Sequence, residues 1–294
     1  MAAAIVLVGC GNMGGALLSG WLDGGLSAGA ITVVEPEARR ARLAIQRGVT
    51  VAADARAVAR SPDAVVLAVK PQIVEAILAA YAGFAAAGSA FLSIVAGKPT
   101  AALATGLGEG AAVVRAMPNT PAAVRRSISV ACANVATSAR QKALCGELLA
   151  AVGSVLWVDD ETLLDPVTAV SGSGPAYVFL LAECLARAGE EAGLPADLAQ
   201  RLARETVAGA GELLARSDLS AETLRRNVTS PGGTTAAALS VLMAEDDGLP
   251  PLLSRAVAAA TRRSRELAGG AAASIPTAAR SGAGGHERRT QQIL

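Results

Sequence analysis

The chain has 294 residues, which predicts about two domains of ordinary size, and it is 52% hydrophobic, 17% charged and only 2% aromatic. Much of that apolar content is alanine, which enters helices at almost no side-chain entropy cost, so the composition points to a helix-rich, closely packed protein. A formal net charge of +1 argues against nucleic acid as a main partner.

The opening segment, Met1 to Leu22, is apolar but lacks a positive leading region and is interrupted by glycines and Asn12, so it does not read as a secretory signal. Ala4–Val8 predicts a first strand, followed by a helix from Asn12 to Asp23. Ile31–Glu35 predicts a second strand and Glu37–Arg47 a second helix, and Ala64–Val69, Phe91–Val95 and Ala112–Arg115 repeat the pattern. Each run is apolar on both faces, which predicts a parallel, doubly wound sheet covered by helices on both sides. Ile128–Cys132 and Ser154–Val158 complete the expected sheet around a helix at Gln141–Ala151, giving a dinucleotide-type Rossmann domain over residues 1–158.

After Asp159 the strand pattern stops. Ser173-Gly-Pro175 predicts a helix start with Ser173 as N-cap and proline in the first turn. Val178, Leu181 and Leu185 follow at helical spacing until Gly193 and Pro195. Leu198, Leu202 and the small residues Gly209, Ala210 and Gly211 predict a second long helix packed close to a neighbour; Ala236–Ala244 and Leu249–Leu267 predict two more. The result is an all-helical domain over residues 159–268, much of whose surface is expected to be buried in a dimer. Residues 269–294 are rich in Gly, Ser and Ala without periodicity, which predicts a disordered tail holding the only histidine, His286. With no run of about 18 uninterrupted apolar residues, no membrane span is predicted. Cys10, Cys132, Cys145 and Cys184 lack CxxC or zinc-like spacing, so no metal site is expected and the thiols suit a cytoplasmic protein.

Gly9-Cys10-Gly11-Asn12-Met13-Gly14 follows the first strand directly and opens the first helix. The first glycine permits the tight turn, the second lets the backbone approach a pyrophosphate, and the third brings helix and strand together. Glu35 ends the second predicted strand, where an acidic residue bonds a ribose 2′-OH and favours NAD; Arg39 and Arg40, a helical turn later, could instead hold a 2′-phosphate or simply face solvent. Thr229 to Thr235, with the sequence TSPGGTT, is a Gly-rich loop entering a helix, suited either to a small carboxylate or to an ordinary capped turn. Met117-Pro-Asn-Thr-Pro121 is a rigid loop at the end of a strand, again either a ligand loop or a structural turn.

Alcohol dehydrogenation needs a group to move the hydroxyl proton. No histidine precedes His286, and Lys70, Lys98 and Lys142 all precede the helical domain. A cyclic imine arrives protonated, and its iminium carbon accepts hydride with little further help, so the missing residue favours an imine over a hydroxy acid. It also disfavours a β-hydroxyacid dehydrogenase, whose relatives use a lysine in the helical domain. The intact loops disfavour a nucleotide-sensing module that has lost catalysis.

Taken together, VGCGNMGGALLSG, AVKPQ (Ala68–Gln72), RAMPNTPAAV (Arg115–Val124), TAVSGSGPAYVF (Thr168–Phe179) and NVTSPGGTTAAAL (Asn227–Leu239) resemble the pyrroline-5-carboxylate reductase family in order and spacing, from about Ile5 to Leu267. The resemblance implies reduction of L-1-pyrroline-5-carboxylate to L-proline, the last step of proline biosynthesis, by a homodimer with interleaved helices that can assemble into a decamer of five dimers. It implies NADPH as cofactor, with NADH possible. By position, Gly9, Gly11, Asn12, Met13 and Gly14 would touch the pyrophosphate, and Ala68, Lys70 and Pro71 would line the cofactor near its ribose and nicotinamide. Met117, Asn119 and Pro121 would sit by the nicotinamide. Ser230, Gly232, Gly233 and Thr235 would hold the substrate, with the Thr235 hydroxyl near the ring nitrogen. Ala55 and Glu35 depart from many NADPH-preferring members, which often carry Asn and a neutral residue there.

Overall fold

The structure is a computed structural model that describes residues 3–269; the expected tail beyond Gly269, with His286, lies outside the described residues. Eight strands form one sheet: β1 (Ile5–Val8), β2 (Ile31–Val34), β3 (Thr50–Ala52), β4 (Ala64–Leu67), β5 (Ala90–Ser93), β6 (Val113–Met117), β7 (Ser127–Ala133) and β8 (Gly153–Trp157), in the spatial order β3-β2-β1-β4-β5-β6-β7-β8. All neighbours are parallel except β6 and β7, which run antiparallel. The expectation of a wholly parallel sheet is corrected there. Only the short stretch Pro118–Arg126 joins β6 to β7, too short for the helical crossover a parallel pair needs. The three-residue β3 also escaped the sequence reading, because Thr50-Val51-Ala52 is too short to show a period.

Side-chain alternation divides the core between the two faces of the sheet. Ile5 and Leu7 pack with Leu17, Leu18 and Trp21 of α1 (Asn12–Asp23) on one face. Val6 and Val8 pack with Val74 and Leu78 on the other. Further helices in this half are α2 (Ala38–Gln46), α3 (Pro71–Leu78), α4 (Ala82–Ala86), α5 (Thr100–Leu107) and α6 (Ala139–Ala150). The Trp21 Nε1–H donates to the Leu148 carbonyl at 2.8 Å and ties α1 to α6. Burial pushes the Cys145 thiol of α6 from its ordinary 9.0 up to about 12. Between those two values the unfolded chain holds fewer protons than the folded one, so stability present below pH 9 falls as pH rises. The slope is at most about 1.4 kcal/mol per pH unit. Chemical denaturation at alkaline pH should show this decline, and Cys145→Ala should flatten it; equal slopes would refute the assignment.

The remaining helices are α7 (Leu164–Val167), α8 (Gly174–Glu191), α9 (Ala196–Arg216), α10 (Ala221–Asn227), α11 (Thr234–Leu242) and α12 (Leu249–Ala268). Ser173 stands at the N-cap position of α8 with Pro175 in the first turn, as expected, but its backbone is already helical and its side chain makes no capping bond, because the π-helical turn Thr168–Gly172 feeds α7 straight into α8. The resulting helical run, Glu161–Glu191, is 31 residues and long and apolar enough to cross a membrane by length and composition, which the broken apolar pattern of the sequence did not foretell. The domain is seated by Leu164 on Val130 and Cys132 of β7. Its far end returns through α12, where the Ser264 hydroxyl donates to Asp165 Oδ1 at 2.7 Å.

Two polar contacts lock this seat to the sheet. Arg115 of β6, 6% exposed, donates from Nη1 to Glu161 Oε1 at 3.0 Å. Glu161 also accepts the Thr100 N–H at 2.9 Å and the Thr100 hydroxyl at 2.8 Å. By contrast, Phe179 (62% exposed), Leu181 and Leu185 of α8 and Leu198, Leu202 and Leu213 of α9 stand out of the chain. Gly209 and Gly211 have no neighbouring group within 4 Å of their Cβ positions, so the close packing expected of them is not within this chain.

Candidate active site

The glycine motif sits where the strand order reverses: β1 has β2 on one side and β4 on the other. Open α/β sheets bind ligands in the crevice outside such carboxyl ends. Here the Gly9 N–H donates to the Val34 carbonyl at 2.9 Å and the Ala68 N–H to the Val8 carbonyl at 2.8 Å, so three loops leave one hydrogen-bonded platform. Gly9 turns with φ of +90°, and a Cβ there would also press on the Ala68 carbonyl oxygen at 2.9 Å, so conformation and space both demand glycine. A Cβ on Gly14 would collide with the Gly9 carbonyl and lie 3.3 Å from Ala68 Cβ; its absence lets α1 close on the turn.

Gly11 is different, because nothing lies within 4 Å of the position its Cβ would take. It is the N-cap of α1, and no side chain caps that helix. The first-turn N–H groups and the positive end of the helix dipole therefore face an opening. That opening is a cleft of about 1290 Å³, beyond the roughly 300–1,000 Å³ of sites for drug-sized ligands and suited to an extended dinucleotide. Gly9, Cys10, Gly11, Asn12 and Met13 line one wall, Glu35, Arg39, Arg40 and Arg42 another, and Ala68, Val69, Lys70, Ile73 and Tyr81 a third. An uncapped helix end, a glycine whose missing Cβ leaves open space and an apolar far wall fit a nicotinamide dinucleotide.

Glu35 is only 7% exposed. It follows β2 rather than ending it, and its Oε2 accepts the Cys10 N–H at 3.0 Å while Oε1 accepts the Glu37 N–H at 3.1 Å. Burial, and secondarily Glu35, push the Cys10 thiol up, so Cys10 stays protonated and offers no nucleophile. Of the three lysines, Lys98 pairs with Glu75 at 2.6 Å and Lys142 lies 4.6 Å from the centre of the Trp157 ring; only Lys70, the N-cap of α3, reaches the cleft.

Several sequence-predicted residues stand elsewhere. Gly14 lies behind the turn and Pro71 inside the first turn of α3. Met117 packs under the π-helical turn, so close that a Cβ on Gly172 would come 2.6 Å from Met117 Cε. The Asn119 side chain is spent on structure: Oδ1 accepts the Ser127 hydroxyl and the Ile128 N–H, each at 3.1 Å, and Nδ2 donates to the Ser171 carbonyl at 3.1 Å. The MPNTP loop, with Pro121 in its 3-10 turn, is thus a strut joining β7 to the helical domain, and neither Asn119 nor Pro121 lines the cleft. Asp54 and Arg42 do line it. The sequence reading missed Asp54 because β3, which delivers it, went unread, and passed over Arg42 on the predicted second helix.

The predicted substrate loop is not on the cleft at all. Ser230, Gly232 (φ +71°) and Gly233, the N-cap of α11, form a turn in which the Gly233 N–H donates to the Ser230 carbonyl at 3.1 Å. Half-buried Thr235 follows in the first turn of α11. None of the four lines the glycine-loop cleft of its own chain. Within one chain, the two halves of the expected site stand apart.

Comparison with known proteins matches the two regions to different family models. Residues 161–267 match a family model described as pyrroline-5-carboxylate reductase dimerisation, and residues 4–97 one described as NADP oxidoreductase, coenzyme F420-dependent. A pyrroline-5-carboxylate reductase of Pseudomonas aeruginosa is 44% identical over 232 residues, 78% of this chain and 85% of the relative. The chain belongs to the pyrroline-5-carboxylate reductase family. The solved structure of such a reductase from Coxiella burnetii, 34% identical, superposes with a TM-score of 0.85 over 91% of this chain and 99% of that one. A Plasmodium falciparum pyrroline carboxylate reductase with NADP bound, 28% identical, gives 0.77 over 90% and 98%. The family's dimerisation region begins at Glu161, the residue that clamps the helical domain to Arg115 and Thr100. It contains every apolar side chain of α8 and α9 left uncovered in the single chain.

Proposed function

We propose that this enzyme reduces L-1-pyrroline-5-carboxylate to L-proline with a reduced nicotinamide dinucleotide, as the last step of proline biosynthesis. The observation that carries the reading is a dinucleotide cleft on a chain that is 44% identical, over 78% of its own length and 85% of the relative's, to a pyrroline-5-carboxylate reductase. Either NADPH or NADH can serve as donor; the Plasmodium falciparum relative was solved with NADP bound.

In this reading the first turn of α1 and the backbone of Gly9 to Met13 hold the pyrophosphate, and Glu35 and Arg39 face the adenine-side ribose. Ala68 and Lys70 line the nicotinamide half, while Gly14, Pro71, Met117, Asn119 and Pro121 shape and brace the walls from behind. The bound cofactor supplies a hydride to the imine carbon, and the C=N electron pair passes to the ring nitrogen. The chain's own contribution is to place the ring and exclude water.

The placement comes from a second copy. The loop Ser230, Gly232, Gly233 and Thr235 belongs to the dimerisation region and does not line the glycine-loop cleft of its own chain, so it is offered to the cleft of the partner subunit. Its backbone N–H groups and the α11 N-terminus receive the substrate carboxylate, and the Thr235 hydroxyl takes up the ring N–H. Covering Phe179, Leu181 and Leu202 in the same dimer supplies the hydrophobic drive for association. The apolar helix Glu161–Glu191 is then an interface helix of a cytoplasmic protein rather than a membrane span. Dimers can assemble further into a ring of five. Light scattering at micromolar concentration should find a dimer or a multiple of it, and a monomer would contradict the shared site.

The direct test is oxidation of NADPH and NADH by the purified protein with pyrroline-5-carboxylate, with the product identified as proline. Thr235→Ala should lower kcat/KM for the imine by about 1–3 kcal/mol of transition-state stabilisation, the cost of one lost buried hydrogen bond. An unchanged kcat/KM would remove Thr235 from the site.

A further inference from the structure

We infer that Glu35 makes this enzyme select NADH over NADPH. The inference rests on the reading of the glycine-loop cleft as the dinucleotide site and adds the choice of ribose to it.

Glu35 stands directly after β2, at the place where a Rossmann domain meets the adenine-side ribose. It is 7% exposed, and its two oxygens are held by backbone donors, Cys10 N–H at 3.0 Å and Glu37 N–H at 3.1 Å. One of those donors belongs to the glycine loop itself, so the carboxylate cannot swing out of the cleft without releasing the loop that holds the pyrophosphate. Each oxygen keeps a free lone pair. A ribose 2′-OH is a donor and completes that shell. A 2′-phosphate brings only acceptor oxygens and negative charge, against a poorly hydrated wall where like charges are costly.

The nearby arginines do not reverse this. Arg40 Nε lies 2.8 Å from Glu37 Oε2 and Arg39 Nε 3.4 Å from Glu37 Oε1, so both guanidinium groups already serve one carboxylate. The Arg39 side chain is also 85% exposed, where a charge pair is screened and worth little. Arg42 lines the same end of the cleft, but so does Asp54, whose carboxylate accepts the Arg56 N–H at 2.8 Å. Apart from Lys70 on another wall, Glu35, Glu37 and Asp54 thus balance Arg39, Arg40 and Arg42, leaving no positive surplus for a dianion beside Glu35.

The experiment is a titration of the full-length protein with NADH and with NADPH, without imine, read by calorimetry or nicotinamide fluorescence. The expected result is NADH binding about tenfold to a hundredfold more tightly. Glu35→Ser should narrow or invert that ratio by raising NADPH affinity about tenfold. Glu35→Gln, which keeps one acceptor for the glycine loop and removes the charge, should move the ratio in the same direction even if the serine variant loosens the loop. Equal or tighter NADPH binding by the wild-type protein overturns the inference. So does a loss of NADPH affinity alone, by more than about tenfold, in Arg39→Ala or Arg40→Ala. Imine reduction that favours NADPH removes this inference and leaves the proposed reaction standing; failure to bind either dinucleotide removes both.

Discussion

Gly11→Val is expected to abolish dinucleotide binding while leaving the fold intact. No protein atom lies within 4 Å of the Cβ position, so the valine side chain meets nothing inside the chain and enters the mouth of the cleft, at the uncapped end of α1. It would stand where the pyrophosphate must approach the first-turn N–H groups, and those charge-assisted contacts have no substitute. Affinity for NADH and NADPH should fall by about a thousandfold, roughly 4 kcal/mol, with a melting temperature close to that of the wild-type protein. Gly14→Ala makes the opposite contrast. Its Cβ collides with the Gly9 carbonyl inside the chain, so it should lower the melting temperature before any ligand is added. Wild-type affinity in Gly11→Val would mean that the cleft is not the dinucleotide site.

The second large effect concerns two inactive chains that should restore activity when combined. Gly11→Val destroys the cofactor half of the site. Gly232→Val destroys the substrate half, because Gly232 has φ of +71°, a conformation a β-branched residue does not adopt without strain. If the loop of one subunit completes the cleft of the other, a mixed dimer holds one doubly damaged site and one with both halves intact. Co-expressed chains, purified through two different tags, should then recover about half the wild-type activity per dimer, against almost none for either parent. If each chain used its own loop, every site in the mixed dimer would carry one lesion and activity would stay absent. The measurement thus decides whether the separation of cleft and loop in the single chain reflects a shared site.

Most of the sheet domain was legible because its signals are local. The five-residue opening run, the glycine turn and the helix Asn12–Asp23 follow each other without a gap, and the structure starts and ends that helix at the same residues. Strands buried on both faces announce a parallel sheet, but they do not announce direction: the reversal of β7 depends on the length and path of the Pro118–Arg126 connection. Likewise, no local rule distinguishes a capped start at Ser173 from a continuous helix entering through a π turn, because the difference lies in how Leu164 and α12 pack around that turn.

For the site, the sequence by itself determined the chemistry of each segment. The spacing of Gly9, Gly11 and Gly14 after a strand predicts a pyrophosphate turn, and family motifs from Ile5 to Leu267 indicate the reaction class, because both depend on residues near one another in the chain. Tertiary structure decided which of those residues meet. It surrounded Asn119 with Ser127, Ile128 and Ser171, which hold its side chain as a strut, and it brought Asp54 into the cleft just after an unread strand. It fixed Glu35 against the glycine loop through the Cys10 N–H. It also held the Ser230–Thr235 loop away from the chain's own cleft while leaving the faces of α8 and α9 uncovered. Such meetings depend on how buried surfaces and backbone hydrogen bonds are satisfied across the whole molecule, which no window of sequence contains.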